Sequence, residues 1–385
     1  MSGPVRVAFL IDEIFSPAAG TERQLLMLIE GLDRREFEPH LCVLRSTPWI
    51  EREFARRPGA CPLHVLNIAS FFSPAAWRGV WRFSRWLRQE RIDVLQMHFR
   101  DSALAGVPAA ALAGTPLVVG TRKNQGYWMN GRERFLQRLL NRGVDVFVAN
   151  SEDTRDKAVA GEGIARERMR VIHNGLDLAS LPPPTPVRRA RARALLGIPE
   201  RTLVVGMVAN LRPVKRVDVF VEAAARVAAE RPHTVFVVVG EGEERPGLEA
   251  RAAALGLNGN MRFLGRRTDV ADLLPGLDVG VLTSDSESFS NSMLEYMAAG
   301  LPVAATAVGG CREALGDSPA GVLVAPGDAE GLARGVGMLL GQEGLRREAA
   351  ARHPRRVAEM FSRERYVADY AALYRKKDDS SERRP

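Results

Sequence analysis

Two glutamates eight residues apart, Glu287 and Glu295, frame a stretch with the small hydroxyl side chains of Ser288, Ser290 and Ser292, and Ser284 stands just ahead of it. The stretch follows an apolar run ending near 282 and leads into a helical pattern over 291–299. Glu287 falls in the loop before that helix, and Glu295 about one turn inside it. A loop carboxylate at such a place can accept hydrogen bonds from sugar hydroxyls or stabilise a developing oxocarbenium charge. The serines supply donors for phosphate or sugar, although the same residues also serve as plain helix caps. Upstream, Arg212 and Lys215 stand three apart where another helix opens after a strand. There they could join the helix dipole in neutralising a diphosphate, or form only a solvated basic turn. Two small-residue turns complete the set: the loop 16–22 with Gly20, and Gly309-Gly310 with Glu313 downstream. Either could bring backbone N–H groups to an anion, or simply make a tight strand-to-helix connection.

Other chemistries lack their residues. No Gly-x-Gly-x-x-Gly follows the first strand, no phosphate loop ending in Gly-Lys-Ser/Thr occurs, and His-Glu-x-x-His is absent. No Asp-x-Asp pair offers a metal to a sugar nucleotide, and the six histidines lack ligand spacing. The three cysteines, Cys42, Cys61 and Cys311, are far apart and form no Cys-x-x-Cys pair, which fits free thiols in a reducing cytosol.

The elements that must position these residues are short β-branched runs alternating with helical patterns. Strands are expected at 5–11, 38–44, 93–97, 116–120, 144–149 and 169–172, then at 202–209, 234–239, 261–264, 278–282, 302–305 and 321–324. Strands this apolar, each followed by a helix, belong in parallel sheets covered on both faces. The proline run beginning at Pro182 interrupts the alternation, since it can continue neither a helix nor a central strand. The expectation is an α/β chain of two Rossmann-like doubly wound domains facing across a cleft. Their bounds are 1–178 and 201–360, with a linker over 179–200, a closing helix over 361–375 that returns to the first domain, and a disordered tail over 376–385. Ligand sites in such sheets form outside the carboxyl ends of the strands.

The 385 residues carry a net charge of +8, are 46% hydrophobic and 26% charged, and so form ordinary globular material rather than a disordered chain. The 20-residue uncharged stretch 102–121 is alanine-rich and broken by Pro108 and Pro116, which argues against a membrane span. Positive charge clusters at 77–91, a local +4, and at 122–142, a local +5. Tryptophans interleave with arginines in both: Trp77, Trp81 and Trp86 in the first, Tyr127 and Trp128 beside Arg122 and Lys123 in the second. Arginine with tryptophan suits the interface of an anionic membrane. The alternative for 74–91 is an ordinary helix packing its apolar stripe on the sheet. No nucleic-acid motif accompanies the charge.

In this order along the chain, these residues resemble glycosyltransferase family 4, retaining enzymes of the GT-B fold. Glu287 to Glu295 is similar to the family's Glu-x7-Glu signature, and Arg212 with Lys215 to its diphosphate-binding pair. Gly240, Gly309-Gly310 and the segment 171–177 also match its pattern. The resemblance implies that Arg212 and Lys215 hold the donor diphosphate, that Glu295 contacts the ribose, and that Glu287, with Ser288, Phe289 and Ser290, contacts the donor sugar. It further implies that Arg266 borders the base, that Gly20 lies against the diphosphate from the opposite domain, and that His98 serves the acceptor. His98 could equally be a packed or capping histidine. Arg122, Lys123, Tyr127 and Trp128 are expected on the acceptor or membrane side. The donor is expected to be a UDP- or GDP-sugar, the acceptor a saccharide or lipid-linked saccharide in bacterial cell-surface assembly, and no metal or cofactor is expected. The expected place is the cytoplasm, with peripheral contact to the anionic inner membrane and no nucleic acid. Two alternatives are a sugar-nucleotide epimerase of the same fold and a non-catalytic sugar-nucleotide-binding scaffold. The family usually has Glu-Gly-Phe where this chain has Glu287-Ser288-Phe289, so residue 288 requires a backbone conformation open to serine.

Overall fold

The computed structural model describes residues 3–375 except 18, 58, 69–70, 72, 124–130 and 182. The chain divides into two compact units, residues 1–175 with 363–385, and Leu176–Ser362. The first unit threads β1 (Val5–Ile11), α1 (Gly20–Gly31), β2 (Phe37–Val43), α2 (Pro48–Arg52), β3 (Leu63–Val65), α3 (Pro74–Gln89) and β4 (Val94–Met97). It continues with α4 (Arg100–Ala113), β5 (Leu117–Arg122), α5 (Gly131–Leu140), β6 (Val146–Ala149), α6 (Glu152–Glu162) and β7 (Met169–Val171). The second unit holds α7 (Pro186–Leu196), β8 (Val204–Val208), α8 (Val217–Glu230), β9 (Val235–Val239), α9 (Arg245–Ala254), β10 (Met261–Phe263) and α10 (Val270–Leu273). There follow β11 (Val279–Leu282), α11 (Asn291–Ala298), β12 (Val303–Thr306), α12 (Cys311–Leu315), β13 (Gly321–Val324), α13 (Ala329–Gly341) and α14 (Glu343–Met360). Helix α15 (Arg363–Arg375) belongs to the first unit, where it packs on α1.

Both sheets are parallel. The first runs β3-β2-β1-β4-β5-β6-β7 and the second β10-β9-β8-β11-β12-β13. In each, chain order reverses direction at one place, between β1 and β4 and between β8 and β11. Such a switch point parts the adjoining loops and leaves a crevice at the strands' carboxyl ends. The loop 98–99 leaves one switch point, and loops 209–216 and 283–290 leave the other, so the topology places His98 at the first and Arg212, Lys215 and Glu287 at the second.

The stretch 179–200 is more than a linker: α7 lies inside the second unit, against α10 and the turn Leu274–Gly276. Its arginines explain this. Arg193, 2% exposed, donates to the Asp278 carboxylate at 2.8 Å, and Arg189 donates to the other oxygen at 2.7 Å. Asp278 also accepts from the Val204 amide at 2.8 Å, which pins the start of β8. Strand β3 has no counterpart among the expected elements, because three half-exposed residues at a sheet edge carry no periodicity. The segment 376–385 lies outside the described residues.

Candidate active site

In the second unit, the loop after β8 and the loop after β11 are tied together by main-chain contacts. The Asp285 amide donates to the Val214 carbonyl at 2.9 Å, and the Thr283 hydroxyl donates to the Lys215 carbonyl at 2.8 Å. Residues 213–215 form one tight 3-10 turn, and Arg216 closes it at φ 45°. This brings Lys215 to Glu287: Nζ to Oε1 is 2.5 Å, and the Ser284 hydroxyl donates to the same oxygen at 2.7 Å. The pair is partly enclosed, with the carboxylate side chain 11% exposed. Arg212 lies one turn earlier with its side chain exposed, and among the described residues its guanidinium makes no ion pair.

The turn at Gly309-Gly310 closes on the same loop. The Gly310 amide donates to the Ser288 carbonyl at 2.9 Å. Gly309 has φ 51°, and a Cβ there would fall 1.9 Å from the Glu287 carbonyl oxygen, so only glycine permits the approach. Ser288 is not among the described non-glycine residues with positive φ, so the family's usual glycine is dispensable at this position. Helix α11 is held by Tyr296, whose buried hydroxyl accepts from the Val208 amide at 2.6 Å. Gly280 on β11 makes room for that ring: a Cβ there would stand 2.5 Å from its Cγ. Glu295, the neighbour of Tyr296, is thereby fixed half-buried on the first turns of α11.

Other expected donor contacts take different positions. Phe289 is buried against Phe361, ring centroids 5.3 Å apart, and so faces the core, where an aromatic side chain removes most apolar surface from water. Ser290 is the N-cap of α11 and accepts from the Met293 amide at 3.4 Å. Gly240, at the end of β9, passes so close to Ala209 that a Cβ would fall 1.9 Å from its carbonyl oxygen. Its amide donates to the Gly265 carbonyl at 2.9 Å, which sets the exposed Arg266 at the end of β10.

In the first unit, Gly20 is the exposed first residue of α1. His98, expected near the acceptor, is wholly buried. The Tyr374 hydroxyl donates to Gln96 Oε1 at 2.7 Å, which turns the Gln96 amide nitrogen toward His98 Nε2 at 3.1 Å. An amide nitrogen only donates, so Nε2 accepts and Nδ1 carries the hydrogen, facing the Thr121 hydroxyl at 3.4 Å. Burial, with Lys123 nearby, holds this imidazole well below its ordinary pKa, so it is neutral. His98 is a packed histidine here. Arg122 pairs with Glu162 at 2.7 Å, donates to Asn141 at 2.8 Å and lies over the Phe147 ring. Tyr127 and Trp128 lie outside the described residues.

Two groups at the first unit's strand ends are electrostatically unusual. Burial pushes the Lys123 ammonium down to about 7, partly countered by Glu22, whose own carboxyl is pushed up by burial. Asp12, at the end of β1, is raised to about 6 by burial although Ser102 donates to it through its amide at 2.8 Å and its hydroxyl at 2.5 Å. Asp12 was not expected as a site residue. Its one signal in the sequence is an acid directly after an apolar strand, which many solvated turns share.

The segment 18–180 matches the model of Glycosyltransferase Family 4, and 188–356 that of Glycosyl transferases group 1. A D-inositol 3-phosphate glycosyltransferase of Geodermatophilus obscurus is 33% identical over 356 residues, 90% of this chain and 73% of the relative. One of the same description from Salinispora arenicola is 35% identical over 363 residues, 89% of this chain and 75% of the relative. Among solved structures, Anabaena Alr3699/HepE in complex with UDP superposes with TM-score 0.84 at 21% identity, covering 96% of this chain and 99% of that one. WaaG, a glycosyltransferase involved in lipopolysaccharide biosynthesis, gives TM-score 0.73 at 20% identity, over 96% of this chain and 100% of that one. The fold is GT-B, and the chain belongs to the family 4 glycosyltransferases.

Proposed function

We propose that the chain transfers a sugar from a nucleoside diphosphate donor to an acceptor hydroxyl, with retention of anomeric configuration and without a metal. The observation that carries this reading is Glu287, locked by Lys215 and Ser284 against the Gly309-Gly310 turn at a sheet switch point. As the glycosidic bond breaks, negative charge builds on the leaving diphosphate. Arg212 and Lys215 are the cations placed to stabilise it, and this is the strongest kind of help a preorganised site offers. The acceptor oxygen bonds to the anomeric carbon, and its proton passes to a phosphate oxygen of the leaving group, so no strongly basic side chain is needed. In this reading Glu287 meets the donor sugar, Glu295 the ribose and Arg266 the base. Because Lys215 already donates to Glu287, its ammonium serves carboxylate and diphosphate together.

A uridine donor is favoured because Anabaena HepE, of the same fold, was solved with UDP and with UDP-glucose. For the acceptor we favour a saccharide or lipid-linked saccharide of the bacterial cell surface, met on the cytoplasmic side of the membrane. Among the described residues no helix is long and apolar enough to cross a membrane. A second reading, a phosphorylated polyol, is favoured by the two relatives described as D-inositol 3-phosphate glycosyltransferases.

The test is thermal unfolding with UDP-, GDP-, ADP- and CMP-sugars, since a ligand of the folded state raises apparent stability by mass action. One base should shift the transition in the wild type and not in Glu295→Ala or Arg212→Ala. Release of the nucleotide only when acceptor is present, with the product anomer read by NMR, separates transfer from epimerisation. The absence of a shift with every sugar nucleotide would refute the donor site.

A further inference from the structure

The 74–91 helix does pack an apolar stripe on the sheet, but two of its three tryptophans are not part of it. Ala76, Gly79, Val80, Phe83, Ser84 and Leu87 form the buried face of α3. Trp86 turns inward against His64 and Phe83. Trp77 and Trp81 turn outward, 56% and 52% exposed, and line a shallow groove with Pro74 and Arg78. An exposed tryptophan costs hydration free energy, and two at i, i+4 spacing form one continuous apolar ridge.

The charges on α3 are all of one sign. Arg78, Arg82, Arg85 and Arg88 are exposed, and α3 contains no acid. Among the described residues none of these four makes an ion pair. Elsewhere in the first unit Arg6, Arg45, Arg57 and Arg122 do find carboxylates. The Arg85 guanidinium instead lies 5.0 Å from the Trp81 ring centroid. At 3.6 residues per turn, Trp77, Arg88 and Trp81 share one edge of the outward arc, with Arg85, Arg78 and Arg82 beside them.

We propose that this face of α3 docks on an anionic lipid surface. The tryptophans would seat at headgroup depth and the guanidiniums would meet the lipid phosphates. The fit lies in the combination. Amphipathic rings prefer the water–lipid boundary, each nearby arginine adds attraction to an anionic leaflet, and neither feature needs a shaped partner. An acidic protein groove would need a shape matched to the ridge, whereas a lipid surface does not. This proposal rests on the reading of a membrane-presented acceptor, but its test does not use glycosyl transfer.

The experiment is co-sedimentation of the full chain with vesicles of equimolar phosphatidylglycerol and phosphatidylcholine, beside phosphatidylcholine alone. Binding at low salt to the anionic vesicles only, released by high salt, is the expected result. Trp77→Ala/Trp81→Ala should weaken partitioning about tenfold or more. Arg78→Gln/Arg82→Gln/Arg85→Gln should weaken it roughly fivefold per arginine. Both variants should melt with the wild type and keep its thermal response to UDP, because these side chains face outward. A lost UDP response in the wild type would therefore count against the uridine donor and not against the docking face. Failure of the wild type to bind anionic vesicles, or undiminished binding by the tryptophan variant, overturns the proposal. So does a concentration-dependent dimer that only the tryptophan variant loses, which would assign the ridge to a second copy of the chain.

Discussion

Gly309→Ala replaces one hydrogen by a methyl group at the place where the second unit's loops touch. The new Cβ would stand 1.9 Å from the Glu287 carbonyl oxygen, 2.7 Å from its carbon and 2.9 Å from the Ser288 carbonyl oxygen. All three are backbone atoms, so no rotamer change relieves the overlap, and the chain must part by about 1 Å or more, a distortion of the overpacking kind that costs roughly 1–3 kcal/mol. The φ of 51° adds a left-handed penalty of roughly 1–2 kcal/mol for any L side chain. A loss near 3 kcal/mol lowers the melting temperature of a unit this size by roughly 6–12 °C. The displaced segment carries Glu287, and a misplacement of about 1 Å costs on the order of a hundredfold in turnover. Thermal unfolding with and without UDP, together with donor turnover, reads both effects. Gly337→Ala is the control: it lies in α13 with nothing within 4 Å of its Cβ position and should gain about 0.5–1 kcal/mol. If Gly309→Ala melts within about 2 °C of the wild type and turns over normally, the reasoning from close approach is wrong.

Other substitutions probe the remaining contacts. The Asp12 carboxyl titrates near 6 when folded against 3.8 unfolded, so between those values the folded state holds a proton the unfolded state has lost. Stability attributable to Asp12 therefore falls as pH rises from about 4 to 6 and stays reduced above that. Asp12→Asn should remove this slope and add about 1–3 kcal/mol at pH 7, with little change below pH 4, as measured by urea unfolding across pH. Asp278→Asn strips the charge that compensates buried Arg193 and should cost about 3–5 kcal/mol, visible as a lower urea midpoint. Glu287→Gln keeps shape and loses charge. Its carboxylate is largely enclosed, so losing the charge should cost about 1.5–3 kcal/mol and lower the melting temperature by several degrees. Turnover should drop roughly 10²–10³-fold, and unchanged turnover would favour a binding scaffold over an enzyme.

Much of the fold was legible in the residues themselves. Short apolar runs alternating with amphipathic patterns are best satisfied by parallel strands covered on both faces, and twelve of the thirteen strands among the described residues fell where that alternation put them. The Glu287-to-Glu295 stretch, Lys215 and Gly309 were legible for the same reason. Their spacing along the chain places them at strand ends, and parallel topology collects strand ends on one side. What is local in sequence was readable from sequence.

Facing and pairing were not local, and only the tertiary structure decided them. His98 ends a strand, as a site residue would, but Gln96, Thr121 and Tyr374 close around it from β4, β5 and α15. Arg122 belongs to a basic cluster, yet Glu162, forty residues on, neutralises it. Phe289 belongs to the signature stretch and still turns into the core, because Phe361 comes to meet it from the end of α14. The tryptophans of α3 share one composition and one helix, and the sheet beneath takes Trp86 while leaving Trp77 and Trp81 to solvent. A side chain's type and spacing state what it can do. Whether it faces a partner, the core or water is a free-energy balance over neighbours that the chain brings together only by folding.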